Sequence, residues 1–223
     1  MTQLSTLNAL MSERFSCRAF HTDPVPRADV EAIIDAARKA PSWCNAQPWQ
    51  VTVTSGNATE RFRVALQKQV ISGRAALDLP GPEGYPGVYA ERRRTCGWQL
   101  YDAVGVQKGD RAASAQQMQR NFSLFDAPHV AILTSPRALG AYGAMDCGGF
   151  VLAFTLAAQA LGINTIPQAA VANYSKFVRE YFSMSEDRLM LCAISFGYAD
   201  RDHAANSFRT ERAQCDEIME WLE

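Results

Sequence analysis

Net charge is what this sequence has least of: 22 lysines and arginines stand against 23 acidic side chains, and the pI is near 6.3. A chain so balanced exerts no general pull on nucleic acid, and any charged ligand must be held by a local cluster. Six cysteines, at positions 17, 44, 96, 147, 192 and 215, show neither CxxC spacing nor the density of small secreted domains. That pattern leaves no zinc signature and no disulfide frame, and points to reduced thiols in a cytoplasm. The longest apolar run, around "GGFVLAFTLAA", stops at Gln159, and "MTQLSTLNALMSERF" has no basic stretch leading into a continuous apolar one. Neither a membrane span nor a signal peptide is expected. No GxGxxG follows a strand pattern and no GxxxxGK[ST] occurs, so a Rossmann domain and a P-loop are unsupported. "AISFG" lacks the first glycine of a nucleophile elbow, and His21, His129 and His203 are the only histidines, which leaves a serine-hydrolase triad little support.

What is there is an ordinary globular composition, 48% hydrophobic and 20% charged, over a length that suits one domain spanning residues 1–223. Leu4, Leu7, Leu10 and Met11 recur at helical spacing, as do Val30, Ile33, Ile34 and Ala37 behind Pro26. "WQVTVTS" alternates as a strand, and "ATERFRVALQKQVISGRAAL" reads as a helix followed by the glycine- and proline-rich loop "LPGPEGYPG". Residues 89 to about 122 read as two helical pieces, "HVAILTS" as a buried strand, "GAMDCGGFVLAFTLAAQALG" as a largely buried helix, "VANYSKFVREYF" as a shorter helix and "RLMLCAISFG" as a strand. The tail begins irregular and ends helical. Helices outnumber strands, and the segments between strands are too varied for a regular βαβ series, so the expected class is α+β.

Four features carry possible chemistry. In "RFSCRAF", an extended backbone places Arg14, Ser16 and Arg18 on one side and Phe15 and Cys17 on the other. That face suits bidentate recognition of a phosphate, and read by itself it equally suits a solvated edge over a buried one. Arg209 and Arg212 in "NSFRTERA", and Arg120 ahead of the strand "HVAIL", are further cations whose ordinary fate is solvation. "APSWCNAQPWQ" stops a helix at Pro41 and then gathers Ser42, Asn45 and Gln47 between two tryptophans, more than a plain connection needs. In "INTIPQAAVAN", small residues after Pro167 permit close approach to backbone amides, although the segment alone is simply a strand-to-helix turn.

Taken in order, "SERFSCRAF", "AARKAPSWCNAQPWQVTV", "NFSLFDAPHVAIL", "LAAQALGINTIPQA", "ISFGYAD" and "NSFRTER" resemble the flavin-dependent nitroreductase family, in the branch that contains nitrobenzoate and dinitroaniline nitroreductases. The resemblance runs from the first helix to the C-terminal arginines and is interrupted mainly at 79 to about 112. It implies an α+β fold with a mainly antiparallel central sheet flanked by helices, in an intertwined homodimer that holds FMN at its interface. The same resemblance implies that Arg14, Phe15 and Ser16 meet the phosphate and ribityl chain, and that Arg18 meets the pyrimidine edge. Pro41, Ser42, Trp43, Asn45 and Gln47 are implied to reach the flavin from the other subunit, with Trp49 as an apolar anchor. Pro167, Gln168, Ala169 and Ala170 are implied to turn main-chain N–H groups toward flavin N5 and O4, and Arg209 and Arg212 to close over the phosphate. Arg120 stands where relatives place an asparagine near the pyrimidine ring, and Ser123 replaces a lysine. The apolar "FVLAFTLAAQAL" is the helix expected at the dimer interface.

The activity implied is ping-pong: NADH or NADPH reduces FMN and leaves, and a small nitroaromatic then takes the electrons, passing to nitroso and hydroxylamine products. No side chain is needed as a nucleophile or general acid; Arg18 and Arg120 are expected to tune the flavin by their charge. The scaffold also admits reduction of quinones, enones or halogenated aromatics, and a flavin-binding protein without turnover is the rival from another class. The insertion at 79–112 reads either as a lid, from Tyr85, Tyr89, Trp98 and Tyr101 beside a glycine–proline loop, or as packed helices with Arg92, Arg93 and Arg94 in water.

Overall fold

A computed structural model describes residues 2–223. Four strands form one antiparallel sheet: β1 (Gln50–Ser55), β2 (His129–Pro136), β3 (Asn164–Gln168) and β4 (Arg188–Gly197), in the order β1-β2-β4-β3. Alternation along β2 builds both faces of the core. Ala131 and Leu133 point to a layer made by α2 (Arg27–Ala37) and α6 (Gly140–Ala160), whose Ile33, Phe150 and Phe154 are fully buried. Val130 and Ile132 point to the other layer, against Phe62 and Leu66 of α3 (Asn57–Ser72) and Val178 of α8 (Ser175–Tyr181). The register of β2 on β4 shifts between Leu133 and Thr134, a bulge that lets β4 feed Met190 to one layer and Ile194 to the other.

β3 is an edge strand, the place where Pro167, which has no N–H to give, is tolerated. Along its outer side runs the extended arm that follows α1 (Gln3–Glu13); Ser16 bridges Thr165 in parallel, and the Cys17 N–H donates to the Thr165 carbonyl at 3.0 Å. Phe15, Cys17 and Phe20 turn inward onto Ile166, Phe125 and Ala199 as a third, smaller core. The remaining elements are α4 (Val88–Ala103), α5 (Arg111–Gln119), the one-turn α7 (Ala169–Ala172) and α9 (Cys215–Ile218). The sequence pattern carries α3 on to about Leu77, but the helix stops at Ser72, where Gly73 leaves helical geometry and starts an extended strap that runs to α4.

Two helices leave apolar residues outside. None of α1 is buried, so Leu4, Leu7 and Met11 stay exposed, and α6 presents Tyr142, Met145 and Leu152 to solvent. With the turn before it, α6 is long and apolar enough to cross a membrane by length and composition, yet Cys147, Phe150, Phe154 and Ala158 lie in the core.

His129, the first residue of β2, is a structural group. Its ring is buried and stacked on Phe196 with 5.0 Å between centroids; Nε2 accepts the Val25 N–H at 2.9 Å, and Nδ1 lies 3.1 Å from the Thr54 carbonyl. One acceptor and one donor fix the neutral Nδ1–H tautomer. Burial holds its pKa below the usual 6.5, only partly offset by the Thr54 bond. A histidine kept neutral by the fold contributes stability that is complete above the unfolded-state value and falls as pH drops through the folded one. Urea unfolding is therefore expected to show stability falling with pH below about 6.5, with a shallower fall in His129→Gln; equal slopes in the two proteins disprove the assignment.

Candidate functional site

The arm places its charges as its alternation dictates. Arg14, Ser16 and Arg18 face outward into a cavity of about 480 Å³ that is also lined by Arg209 and Arg212 from the tail and by Cys96 from α4. Four guanidinium groups thus converge from segments nearly 200 residues apart in sequence, and among the described residues none of the four pairs with a carboxylate. The Arg14 Nε is buried with no hydrogen-bond partner. Burial, and then the neighbouring Arg212 charge, lower the Arg14 pKa; burial lowers that of Arg18. A desolvated cation beside a like charge is an arrangement that a bound anion relieves.

The cluster is stiffened from beneath. The face of Arg209 lies over the Phe15 ring, 3.8 Å from guanidinium carbon to centroid, while its Nη1 donates to the Asn206 and Phe208 carbonyls. Arg18 lies over Phe208 at 5.7 Å and donates to the Ser16 carbonyl. Asn206, buried, joins arm to tail: its Oδ1 accepts the Arg18 N–H at 2.7 Å, and its Nδ2 donates to the Ala19 and Asp200 carbonyls at 2.9 and 2.7 Å. Neither Asn206 nor Cys96 is singled out by the sequence pattern; a lone polar residue ahead of an arginine gives no sign of a partner 188 positions away.

The other expected site residues fall in three places. Beside the arm, β3 runs into the turn of Pro167, Gln168, Ala169 and Ala170. The Gln168 side chain points inward, donating to the Asn121 carbonyl at 2.8 Å and accepting from Ser195 Oγ at 2.5 Å. Pro167 and Ala169 are exposed, and the first N–H groups of α7 have no acceptor within the helix.

Residues 41–47 do not line the arginine cavity of their own chain. Pro41 lies just beyond the end of α2, and Trp43–Asn45 form a single tight turn in which Cys44 and Asn45, and then Gln47, have left-handed φ of 50°, 55° and 48°. Ser42 Oγ accepts the Gln47 N–H at 2.9 Å, and the buried Asp146 of α6 accepts the Trp43 N–H at 3.1 Å, so a strained loop is pinned onto α6. Trp49 is the anchor, stacked on Phe150 at 5.4 Å, whereas Trp43 leans on Tyr142 and stays 65% exposed.

Arg120 lies apart from the arginine cavity: it caps α5 and forms a partly exposed ion pair with Asp126 at 2.9 Å. Asp126 ends a left-handed turn, Leu124–Asp126, that no periodicity announces.

An antiparallel sheet between helical layers, with an arginine-lined cavity along the edge strand that the N-terminal arm extends, defines an α+β protein. The chain belongs to the nitroreductase family, whose model matches residues 11–198. It is 37% identical over 209 residues to nitroreductase NfnB of Mycolicibacterium smegmatis, covering 93% of this chain and 89% of that protein. A 4-nitrobenzoate reductase of Nocardioides sp. is 31% identical, with 98% and 91% covered. Among solved structures, the FMN-dependent nitroreductase NfnB from Mycobacterium smegmatis in complex with NADPH superposes with a TM-score of 0.95 at 35% identity over both whole chains.

Asn206 is the side chain that hydrogen-bonds both arm and tail, so Asn206→Ala leaves the Arg18 N–H and the Asp200 carbonyl unpaired, while the Ala19 carbonyl keeps the Asp200 N–H. The substitution is expected to lower stability by about 1–3 kcal/mol or more in chemical denaturation, and an unchanged midpoint counts against the stitch.

Proposed function

We propose that this protein is an FMN-dependent NAD(P)H nitroreductase, a homodimer that reduces small nitroaromatic compounds. The observation that carries the proposal is the arginine cavity: Arg14 is desolvated beside Arg212 with its Nε unpartnered, and the dianionic phosphate of FMN is a ligand that fits this set. The identities to nitroaromatic reductases over nearly the whole chain support the same reading.

Bound FMN supplies the redox relay, accepting two electrons from a nicotinamide and passing them to the nitro acceptor in a ping-pong cycle. The chain's own residues bind and orient. Arg14, Arg209 and Arg212 hold the phosphate, with the Arg209 stack on Phe15 keeping one guanidinium in place. Ser16 offers its hydroxyl to the ribityl chain. Arg18, clear of any carboxylate, places positive charge beside the pyrimidine ring, where negative charge grows on reduction. Main-chain N–H groups of residues 168–170 face the central ring, and the inward Gln168 fixes that turn. In each two-electron step one NAD(P)H and one proton convert ArNO2 to ArNO and water, and a second pair yields ArNHOH; water supplies the protons.

The Pro41–Gln47 loop, away from its own cavity, serves the partner's flavin in the dimer. Exposed Leu4, Leu7 and Met11 of α1 with Tyr142, Met145 and Leu152 of α6 supply the apolar interface. Six free thiols fit a reducing cytoplasm.

The decisive experiment is to purify the protein, record its visible spectrum, reduce it anaerobically with NADPH and titrate with nitrobenzene. A yellow protein that bleaches and is reoxidised stoichiometrically is expected; a colourless one that cannot be reconstituted with FMN overturns the proposal. Arg14→Ala should bind FMN tenfold to hundredfold more weakly, from a loss of about 1.5–3 kcal/mol, and full flavin occupancy in that variant refutes the phosphate assignment. Sedimentation should report twice the 24.6 kDa chain mass, and a monomer at micromolar concentration removes the dimer.

A further inference from the structure

The strap between α3 and α4 is held down by a buried carboxylate that the flavin site does not use. Asp78 is only 7% exposed in its side chain and reaches three separate elements. It pairs with Arg179 of α8, lies 3.6 Å from Arg137 in the turn after β2, and accepts the Met190 N–H of β4 at 2.9 Å. Two residues earlier the Ala76 N–H donates to the Asn173 carbonyl at 2.6 Å. An acid this buried, and this fully partnered, fixes the backbone on either side of it.

What it fixes is the wall of a cleft. Leu79, Pro80, Gly81 and Pro82 continue from Asp78 and enclose about 320 Å³ against Ala169 and Ala170, the turn assigned above to the flavin ring. The cleft's lining is mainly aliphatic, and the two prolines limit how the wall can flex. It suits a flat apolar ring more than a charged or extended ligand.

We infer that the strap Leu77–Pro82 is the specificity wall for the aromatic electron acceptor and that Asp78 is its positioning residue. The inference rests on the assignment of Ala169 and Ala170 to the flavin. The Asp78 carboxylate is taken up by Arg179 and the Met190 N–H, so its part is to set the distance between the strap and the turn, and with it the width available to the ring. Leu79 supplies apolar contact.

The test uses the flavin-loaded dimer with three variants, Leu79→Ala, Asp78→Asn and Asp78→Glu, and two acceptors at saturating NADPH: nitrobenzene, and ferricyanide, a charged one-electron oxidant that needs no apolar wall. Leu79→Ala is expected to lower kcat/KM for nitrobenzene by roughly tenfold, chiefly through KM, with flavin content and ferricyanide turnover at parent values. Asp78→Asn should show the same split, and Asp78→Glu, which keeps the charge, should recover part of it. A nitrobenzene KM that is unchanged in Leu79→Ala, or a parallel loss with both acceptors, overturns the inference; Leu79→Ala decides the matter if Asp78→Asn does not fold. A parent enzyme that never takes up FMN sinks the cofactor assignment first, which is a different result from a yellow enzyme indifferent to its strap.

Discussion

Arg14 is held half-buried beside the Arg212 charge, in a cavity that Arg18 and Arg209 also line and where none of the four pairs with a carboxylate among the described residues, and the rest of the molecule is arranged so that this opposition persists. The arm cannot swing its arginines into water, because Phe15, Cys17 and Phe20 on its other face are locked into a core beneath the sheet edge. The tail cannot lift away, because Asn206 binds the arm's backbone and Arg209 lies flat on Phe15. Apolar burial and neutral hydrogen bonds therefore work against electrostatics at this site. In the proposed function a bound phosphate would turn that opposition into attraction, which would give a chain with almost no net charge a local preference for an anion.

The same logic ties the site to the sheet. β3 lies at the edge, so the arm can pair alongside it and set Ser16 against Thr165, and the strand then delivers its end directly into the turn of Ala169 and Ala170. One strand thus links the arginine cavity to the Ala169–Ala170 turn, the two places assigned in the proposed function to the phosphate and the ring. The strap held by Asp78 lines the cleft on the other side of that turn.

Much of this was legible in the residues. Period-two alternation in "RFSCRAF" separates the charged face from the buried one, and the structure divides them in that way because an extended arm against a sheet edge has no other arrangement that hides Phe15 and Cys17. The α+β class and the positions of β1, β2 and β4 follow from sequence patterns of the same kind, whereas β3, short and without alternation, reads only as the approach to a turn. The features that were not legible depend on contacts between distant positions or on unusual backbone. Asp126 captures Arg120 through a left-handed turn, Asp146 anchors Trp43 across 103 positions, and Asp78 sits in a loop whose glycines and prolines suggested only irregularity. Local patterns specify which face of an element is buried, whereas the partner of a single polar side chain is chosen by topology.

The distance in sequence between Arg18 and Asn206 also bears on how the chain reaches its working form. The arm is made 188 positions before the residue that holds its backbone in place. The sheet is already built from non-local pairs, Gln50 with Thr134 and His129 with Phe196, and the arm's stitch to Asn206 spans more chain than either, which makes it a pairing of high contact order. A chain on which Asn206 has not yet been made carries the arm without this stitch, so the arginine cavity takes its shape only once both segments are present.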